Sequence, residues 1–271
     1  MYEGLVSVIM PTFNCSQHLS ESIDSILNQT YSNLELIITD DHSTDEKTLS
    51  ILKHYSEKDG RVDVTFLDTN RGPGFTRDES IRRAKGRYIA FCDSDDRWFP
   101  DKLERQIAFM TEKNCPLCYS SYVICDESNN ETGFNTAPAY MTFSRLKRDN
   151  KIGCSTAIYD TKLLGKKYFM PHIRKRQDWG LYLTIMRDYG KKVYAIQEPL
   201  VYYRKCRSSV SSDKLGLVKY NIRIYNEVLG FSKLKSLLYF LFLFVPTYSL
   251  KVAKRKYDSF MYVRKKQTIS K

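Results

Sequence analysis

RYIAFCDSDDRWFPDKLERQ, residues 87–106, places three carboxylates within four positions at the end of an apolar run. Tyr88 to Cys92 reads as a buried strand, and Asp93, Asp95 and Asp96 crowd its mouth. Like charges this close repel and raise one another's proton affinity. A chain that keeps them there is expected to hold a cation among them, and a hard divalent ion shared with substrate phosphates suits Asp93-Ser94-Asp95. The plainer reading is an acidic first turn stabilising a helix dipole. Pro100 suits the start of that helix, whose core face carries Leu103, Ile107 and Met110.

Outward from this stretch, strands and helices alternate. Leu5 to Met10 is an apolar strand ending at Pro11, and Leu19, Ile23, Ile26 and Leu27 then recur at helical spacing. Leu34 to Thr39 is a second strand closed by Asp40 and Asp41, followed by a helix over 44–58. Val62 to Leu67 is a third strand, and 75–85 a helix. The pattern predicts an α/β fold with a mainly parallel central sheet flanked by helices and right-handed crossovers. Ligands of such sheets bind beyond the carboxyl ends of the strands. PTFN at 11, DDHSTD at 40 and DSDD at 93 should therefore converge on one crevice. The second half is less regular. Residues 126–150 read as a long loop or hairpin, 152–160 as a strand, 178–190 as a helix with Trp179, Tyr182, Leu183 and Met186 on one face. Residues 191–204 read as two short strands, and 214–230 as a helix.

The 271 residues carry 43 Lys and Arg against 31 Asp and Glu, a net charge of +12. Ten basic residues and one acid, Asp258, fall within 232–271, so the remainder is close to neutral and no nucleic-acid-binding core is expected. The seven cysteines are scattered, and the pair Cys115 and Cys118 has no second pair or His cluster to complete a zinc set. They read as structural free thiols of a cytoplasmic protein, for which the sequons at Asn14, Asn28 and Asn130 carry no meaning. The N-terminus shows no charged segment followed by an apolar core, so no export is expected. Neither a dinucleotide glycine fingerprint nor a P-loop follows the first strand, and NRGPG at 70–74 reads alone as a turn.

Five ordered stretches, VSVIMPTFN, ITDDHSTD, NRGPGFTRDESIRRAKGRYIAFCDSDDRWFPDKLERQ, RKRQDWGLYL and YYRKCRSSVSSDK, together resemble family 2 glycosyltransferases. The similarity is to the bacterial enzymes that build teichuronic acid, capsule and O-antigen chains, and it covers roughly residues 4–230. It implies a GT-A fold and an inverting transfer of sugar from a nucleotide-diphosphate donor, a UDP-sugar, to a hydroxyl of a growing lipid-linked polysaccharide, with Mg²⁺ or Mn²⁺. On this resemblance Pro11 and Phe13 line the base and ribose pocket, and Asp41 accepts a hydrogen bond from the base. Asp40 caps the following turn. Asp93 and Ser94 belong to the nucleotide-sugar site, and Asp95 ligates the metal. Arg77 either meets the diphosphate or anchors the acidic loop. Asp178 resembles the base that takes the acceptor's proton, although Gln177 replaces the usual acid before it. Arg204, Ser208 and Ser211 lie in a segment that could fold over the diphosphate. His42 stands where the family usually has Gly, and Thr76, Asp78 and Ser80 depart from its commoner Ala-Arg-Asn-x-Gly. The Q-x-x-R-W of processive relatives is absent, which favours one sugar per encounter. A catalytically silent sugar-nucleotide-binding protein would keep the Asp95 region and have no need of Asp178.

The expected division is a glycosyltransferase domain over 1–230 and a membrane-associating segment over 231–271. SLLYFLFLFVPTYSL, 236–250, is uncharged but interrupted by Pro246, and falls short of the roughly 20 residues that span a bilayer. KVAKRK and VRKK follow it, and such clusters are drawn to anionic lipid headgroups. A segment lying in the interface is expected, on the cytoplasmic face of the plasma membrane. Burial as an ordinary core helix is the alternative.

Overall fold

Strands β1 (Val6–Thr12), β2 (Leu34–Asp40), β3 (Val62–Phe66) and β4 (Tyr88–Phe91) pair in the order β3-β2-β1-β4, all parallel. Ile9 of β1 lies between Ile37 and Phe91 in this register. The protein is described here from a computed structural model, over residues 4–206 and 214–269. Side chains alternate across a strand, so Ile9 packs on one face of the sheet with Trp179 and Met186, while Val8 and Met10 pack on the other with Leu103 and Ile107. Covered on both faces, β1, β2 and β4 read as largely apolar runs, whereas β3 is a partly exposed edge strand.

Helices α1 (Leu19–Leu27), α2 (Glu46–Lys58) and α3 (Pro73–Arg83) make the crossovers. Asp45 caps α2 by accepting from the amides of Lys47 and Thr48. The third helix starts two residues earlier than its periodicity predicts, because Gly72, at φ 86°, turns the chain directly onto Pro73.

Beyond β4 the sheet becomes mixed. The chain continues through β5 (Arg97–Trp98), α4 (Lys102–Lys113), a hairpin of β6 (Leu117–Cys125) and β7 (Glu131–Asn135), then β8 (Tyr140–Met141) and α5 (Phe143–Leu146). Next come β9 (Ile158–Asp160), α6 (Thr161–Leu164), α7 (Gln177–Tyr189) and β10 (Val193–Arg204). The main path of the sheet runs β3-β2-β1-β4-β9-β6-β10-β5, with β9 antiparallel to both its neighbours. Two expectations change here. The strand over 152–160 is a 3₁₀ turn, Cys154–Thr156, and three strand residues. The two short strands over 191–204 are one strand, which passes Pro199 through register shifts on either side of it. A bulge lets a proline without an N–H sit within a strand.

The C-terminal part packs on this body. Helix α8 (Lys214–Arg223) runs into a π turn, Ile224–Val228. Then α9 (Lys233–Tyr239), a π turn over Phe240–Phe244, and α10 (Val245–Ile269) form one long helical rod. Pro246 does not break the rod, because the π turn immediately before it shifts the hydrogen-bond register where the proline lacks a donor. Phe244 lies 5.7 Å from Trp179 between ring centroids, and Phe240 stacks on Phe244 at 5.4 Å. Farther along, Ser259 bonds the backbone of Phe134 at 3.1 Å and Tyr262 donates to Glu131 at 2.5 Å. Lys251 forms an ion pair of 2.8 Å with buried Asp149. Phe240 and Phe244, with Phe231, Tyr239 and Tyr248 partly buried beside them, join the core of the preceding chain. Within the rod, Lys233–Lys266 is long and apolar enough by length and composition to cross a membrane, and only 11% of its apolar window is buried. All seven cysteines are free thiols.

Candidate active site

The carboxyl ends of β1, β2 and β4 open into a cleft of about 1540 Å³. Pro11, Phe13, Asp41, Arg77, Asp93, Ser94, Asp95 and Asp178 all line it. The convergence expected from three strand ends is met, and α7 brings Asp178 to the same cavity.

At one end, Phe13 is 49% exposed and offers an open ring face after β1. Asp40 is fully buried and accepts from the Ser43 amide at 2.7 Å and from Thr12 Oγ1 at 2.9 Å, which is the turn-capping role expected of it. Asp41 accepts from the amides of Arg71, at 2.7 Å, and Gly72, at 2.8 Å. It thereby ties the NRGPG turn to the end of β2. A carboxylate has about four acceptor positions, so Asp41 keeps capacity toward the cleft. His42, where the family favours Gly, holds a left-handed φ of 66°. Such a conformation costs a residue with a Cβ about 1–2 kcal/mol.

The three acids after β4 do not form one cation cage. Asp93 is ion-paired to Arg77 Nη2 at 2.5 Å, so the guanidinium anchors the acidic loop. Asp96 is turned inward: it accepts from the Arg204 amide at 2.9 Å and from the Ser155 hydroxyl. Burial, then the neighbouring carboxylates, hold Asp96 well above the ordinary range. Asp95 keeps its place on the cleft and receives a thiol hydrogen bond from Cys206 at 3.5 Å. Burial first, then repulsion from Asp93, push Asp95 up to about 6. The crowding has three separate resolutions, a salt bridge, a buried hydrogen-bond pair, and one carboxyl left facing the cleft. Among the described residues no group of three or more His, Cys, Asp and Glu is disposed to hold a metal. A divalent ion here would rest on Asp95 and on substrate oxygens, which is how Mg²⁺ is commonly held.

Arg204 does not cover the cleft. It is 1% exposed, paired to Glu21 at 2.7 Å, and bonded to Asn129 and to the Asp95 carbonyl. It braces the acidic loop from beneath. Ser208 and Ser211 lie outside the described residues. The departures on α3 each find a partner. Thr76 donates to the Gly72 carbonyl at 2.8 Å, and Ser80 shares a 2.6 Å hydrogen bond with Thr39. Asp78 accepts from the Met170 amide at 2.6 Å, and burial pushes its carboxyl up to about 6.

Asp178 occupies the first turn of α7, half-buried, and accepts from Asn150 Nδ2 at 2.8 Å. Burial raises its pKa, against the lowering effect of Arg176. Gln177 also lines the cleft and donates to the Arg174 carbonyl at 2.6 Å. Its side chain lies where a Cβ on Gly74 would come within 2.9 Å, so a larger residue at 74 would make the Gln177 side chain shift. Several residues of the far side went unread in the sequence: Asn150, Lys151, Arg174 and Arg176, and Lys251, Lys254 and Arg255 of α10. Helical spacing places the last three on one face, a signal present in KVAKRK but read there as lipid-facing.

The sequence profile of Glycosyl transferase family 2 matches residues 7–171. The chain is a family 2 glycosyltransferase. This glycosyltransferase is 36% identical over 228 residues to TuaG, assigned to teichuronic acid biosynthesis in Bacillus subtilis (strain 168), covering 84% of this chain and 89% of that one. It is 36% identical over 221 residues, 81% of this chain and 84% of the other, to WfgD of Escherichia coli, a UDP-Glc:alpha-D-GlcNAc-diphosphoundecaprenol beta-1,3-glucosyltransferase. Its fold matches TarS of S. aureus in complex with UDP-GlcNAc at a TM-score of 0.67 and 24% identity, over 91% of this chain and 76% of that one. It also matches the mannosyltransferase PcManGT of Pyrobaculum calidifontis, in complex with GDP-Man and Mn²⁺, at 0.60 and 17% identity, over 93% and 75%. The glycosyltransferase therefore has a GT-A fold.

Proposed function

We propose that this glycosyltransferase moves a sugar from a nucleotide-diphosphate donor, a UDP-sugar, to a hydroxyl of a lipid-linked bacterial surface polysaccharide, with inversion and one sugar per encounter. The observation that carries the reading is the meeting of Asp95 and Asp178 in one cleft with the nucleotide-side residues. The names of the relatives in Bacillus and Escherichia support the acceptor class.

Phe13 supplies the stacking face for the base, and Asp41 an acceptor for an N–H of that base. Asp95 is the residue that would hold Mg²⁺ or Mn²⁺, and the ion would supply charge neutralisation to the leaving diphosphate. Arg77 and Arg204 hold Asp93 and the Asp95 backbone, so the floor is shaped before substrate arrives. Asp178 takes the acceptor hydroxyl's proton as that oxygen attacks on the face opposite the leaving group. Asn150 orients the carboxylate through its 2.8 Å hydrogen bond. Burial of Asp178 raises its proton affinity, which suits a base that works near neutral pH.

The protein is expected to work at the cytoplasmic face of the plasma membrane. Leu234, Leu237, Leu238, Leu241, Phe242 and Val245 are exposed at helical spacing, with Phe242 70% exposed, and form an apolar face beside basic residues. An interfacial helix has this composition. The test is nucleotide release from a panel of nucleotide sugars, with Mn²⁺ and with a chelator. Release is expected for a UDP-sugar in the presence of metal only, and to be lost in Asp95→Asn. Undiminished release in excess chelator would sink the proposed donor site.

A further inference from the structure

The cleft has a second charged region, opposite in sign to the first. Lys151, Arg174, Arg176, Lys251, Lys254 and Arg255 come from three separate stretches of chain and line one side of it. Two acids are interleaved with them. Asp149 is 1% exposed beneath Lys251, and Asp258 pairs with Lys254 at 2.6 Å. The surplus of cations is felt by the group itself. Burial first lowers Lys151 and Lys251, Asp149 opposes it at both, and Arg145, Lys254 and Arg148 at Lys151 and Arg176 and Arg255 at Lys251 lower them further. Like charges gathered along a cavity wall are relieved by an anion of several charges.

Sheet order separates Lys151 and the α10 cations of this wall from the nucleotide end, while Arg174 also borders the turn at Asn70 and Gly72. Phe13 and Asp41 follow β1 and β2, and the acidic floor follows β4. The wall lies past β9 and β6, where α10 packs on β7. Three strand spacings from β1 to β6 amount to roughly 14 Å. Asp178 stands between the two regions. Its partner Asn150 also receives Lys251 Nζ on its carbonyl oxygen at 2.6 Å, so the wall begins one residue beyond the base, on the acceptor side. Exposed apolar side chains on the rod run from Leu234 to Leu250, 72% exposed, and resume at Tyr257, Phe260 and Met261, and Lys251, Lys254 and Arg255 fall in the gap between them. With a rise of 1.5 Å per residue, Arg255 is about 7.5 Å along the axis from Leu250. A lipid whose chain stays with the apolar face presents its headgroup at the height of these cations.

We propose that this wall is the subsite for the diphosphate of a lipid-diphosphate-linked acceptor, which it grips next to Asp178 without a metal ion. The inference rests on the lipid-linked acceptor proposed above and adds the residues that recognise its anionic link. The cleft then handles two diphosphates by opposite means, the donor's through a cation on Asp95 and the acceptor's through Lys and Arg directly. Charge-assisted hydrogen bonds to phosphate are about twice as strong as neutral ones, so the wall should discriminate strongly by charge.

The test is calorimetric titration of geranyl diphosphate into the full chain in the presence of a chelator, where the acidic floor can only repel the probe. Binding is expected, and the combined variant Arg174→Gln, Lys254→Gln, Arg255→Gln should weaken it at least tenfold. These side chains are exposed, so the variant should melt like the parent. Equal binding by the variant would overturn the proposal, as would equally tight binding of geraniol. So would a matching loss of UDP affinity in Mn²⁺, because the cations would then serve the donor. Displacement of the probe by an equal concentration of dihexanoyl phosphatidylglycerol would also overturn it and assign the wall to bilayer headgroups. If geranyl diphosphate binds as expected but no diphosphate-linked lipid accepts sugar, the anion site stands and the acceptor reading falls.

Discussion

At the floor of the cleft Asp93, Asp95 and Asp96 each meet a different neighbour, whereas along the wall six cations, Lys151, Arg174, Arg176, Lys251, Lys254 and Arg255, share two acids, Asp149 beside Lys251 and Asp258 beside Lys254. The floor is built from a short loop pinned at several points. Arg77 holds Asp93, Ser155 and the Arg204 amide hold Asp96, and the Arg204 side chain holds the Asp95 carbonyl. The wall is built from long side chains on α10 and on two loop stretches, and Arg174, Lys254 and Arg255 are exposed. A pinned loop suits a ligand whose geometry must be fixed, such as a metal with its reacting diphosphate. A fringe of flexible cations suits a charge that needs only to be held near the base. Crowded like charges therefore do not have a single meaning. The partners around each one decide it.

The largest effect that would break this comparison is expected at the point where the two regions meet. Asp178→Asn keeps the Asn150 contact and removes the base, so transfer should fall by about 10²–10⁴ while the donor still binds. Loss of donor affinity with turnover retained would move Asp178 to the floor. The pH profile sharpens the same point. A base acts deprotonated, and burial raises Asp178, so kcat should fall as pH drops through a value above the ordinary aspartate pKa of about 3.9. That limb should vanish in the residual activity of Asp178→Asn.

A smaller effect is expected at the apolar face beside the wall. Leu241→Glu with Phe242→Glu leaves Phe240 and Phe244 in the core, and should release the protein from anionic liposomes at low salt. Unchanged sedimentation with the liposomes would remove the interfacial helix. Deleting everything beyond residue 230 is a poorer probe. It strips Phe240 and Phe244 from Trp179, and burying such a side chain is worth about 1.5–3 kcal/mol each.

The smallest effect concerns the helix beneath the floor. Asp78 has a folded pKa of about 6, above its unfolded value of about 3.9. The folded state therefore binds more protons between those values, and stability falls as pH rises through them. Asp78→Asn, which restores the residue commoner in the family, keeps an acceptor for the Met170 amide. It should stabilise the protein by about 1–3 kcal/mol above pH 6 and by little below pH 4. Equal melting shifts at both pH values would mean that the carboxyl is not charged at a cost.

Most of the floor was legible in the sequence, because parallel strands end in polar signatures and the family's motifs keep their spacing. The division of labour among Asp93, Asp95 and Asp96 was not, since it depends on Arg77, Ser155 and Arg204, which lie 16, 59 and 108 positions away from the acids they bond. Arg204 was read in a segment that could fold over the diphosphate or lie as a solvated loop. Only the pairing of β10 with β6 shows that it points into the loop's underside. Helix α7 was legible from its apolar face. The continuous β10 was not, because Pro199 is a reasonable strand end unless a bulge absorbs it. The wall escaped for a different reason. A basic run after an apolar one satisfies membrane and cleft readings equally, and the choice depends on which face of α10 meets β7.

The central claim is that the acidic floor holds one cation together with the donor diphosphate. It is tested most directly by crystals grown with UDP and Mn²⁺, with anomalous scattering measured to locate the metal. One peak bonded to the Asp95 carboxylate and to diphosphate oxygens is expected, with the Arg77–Asp93 pair intact and no peak along the wall. UDP bound in the cleft with no metal at Asp95, or with metal held by Asp96 after it leaves Ser155, would contradict the account.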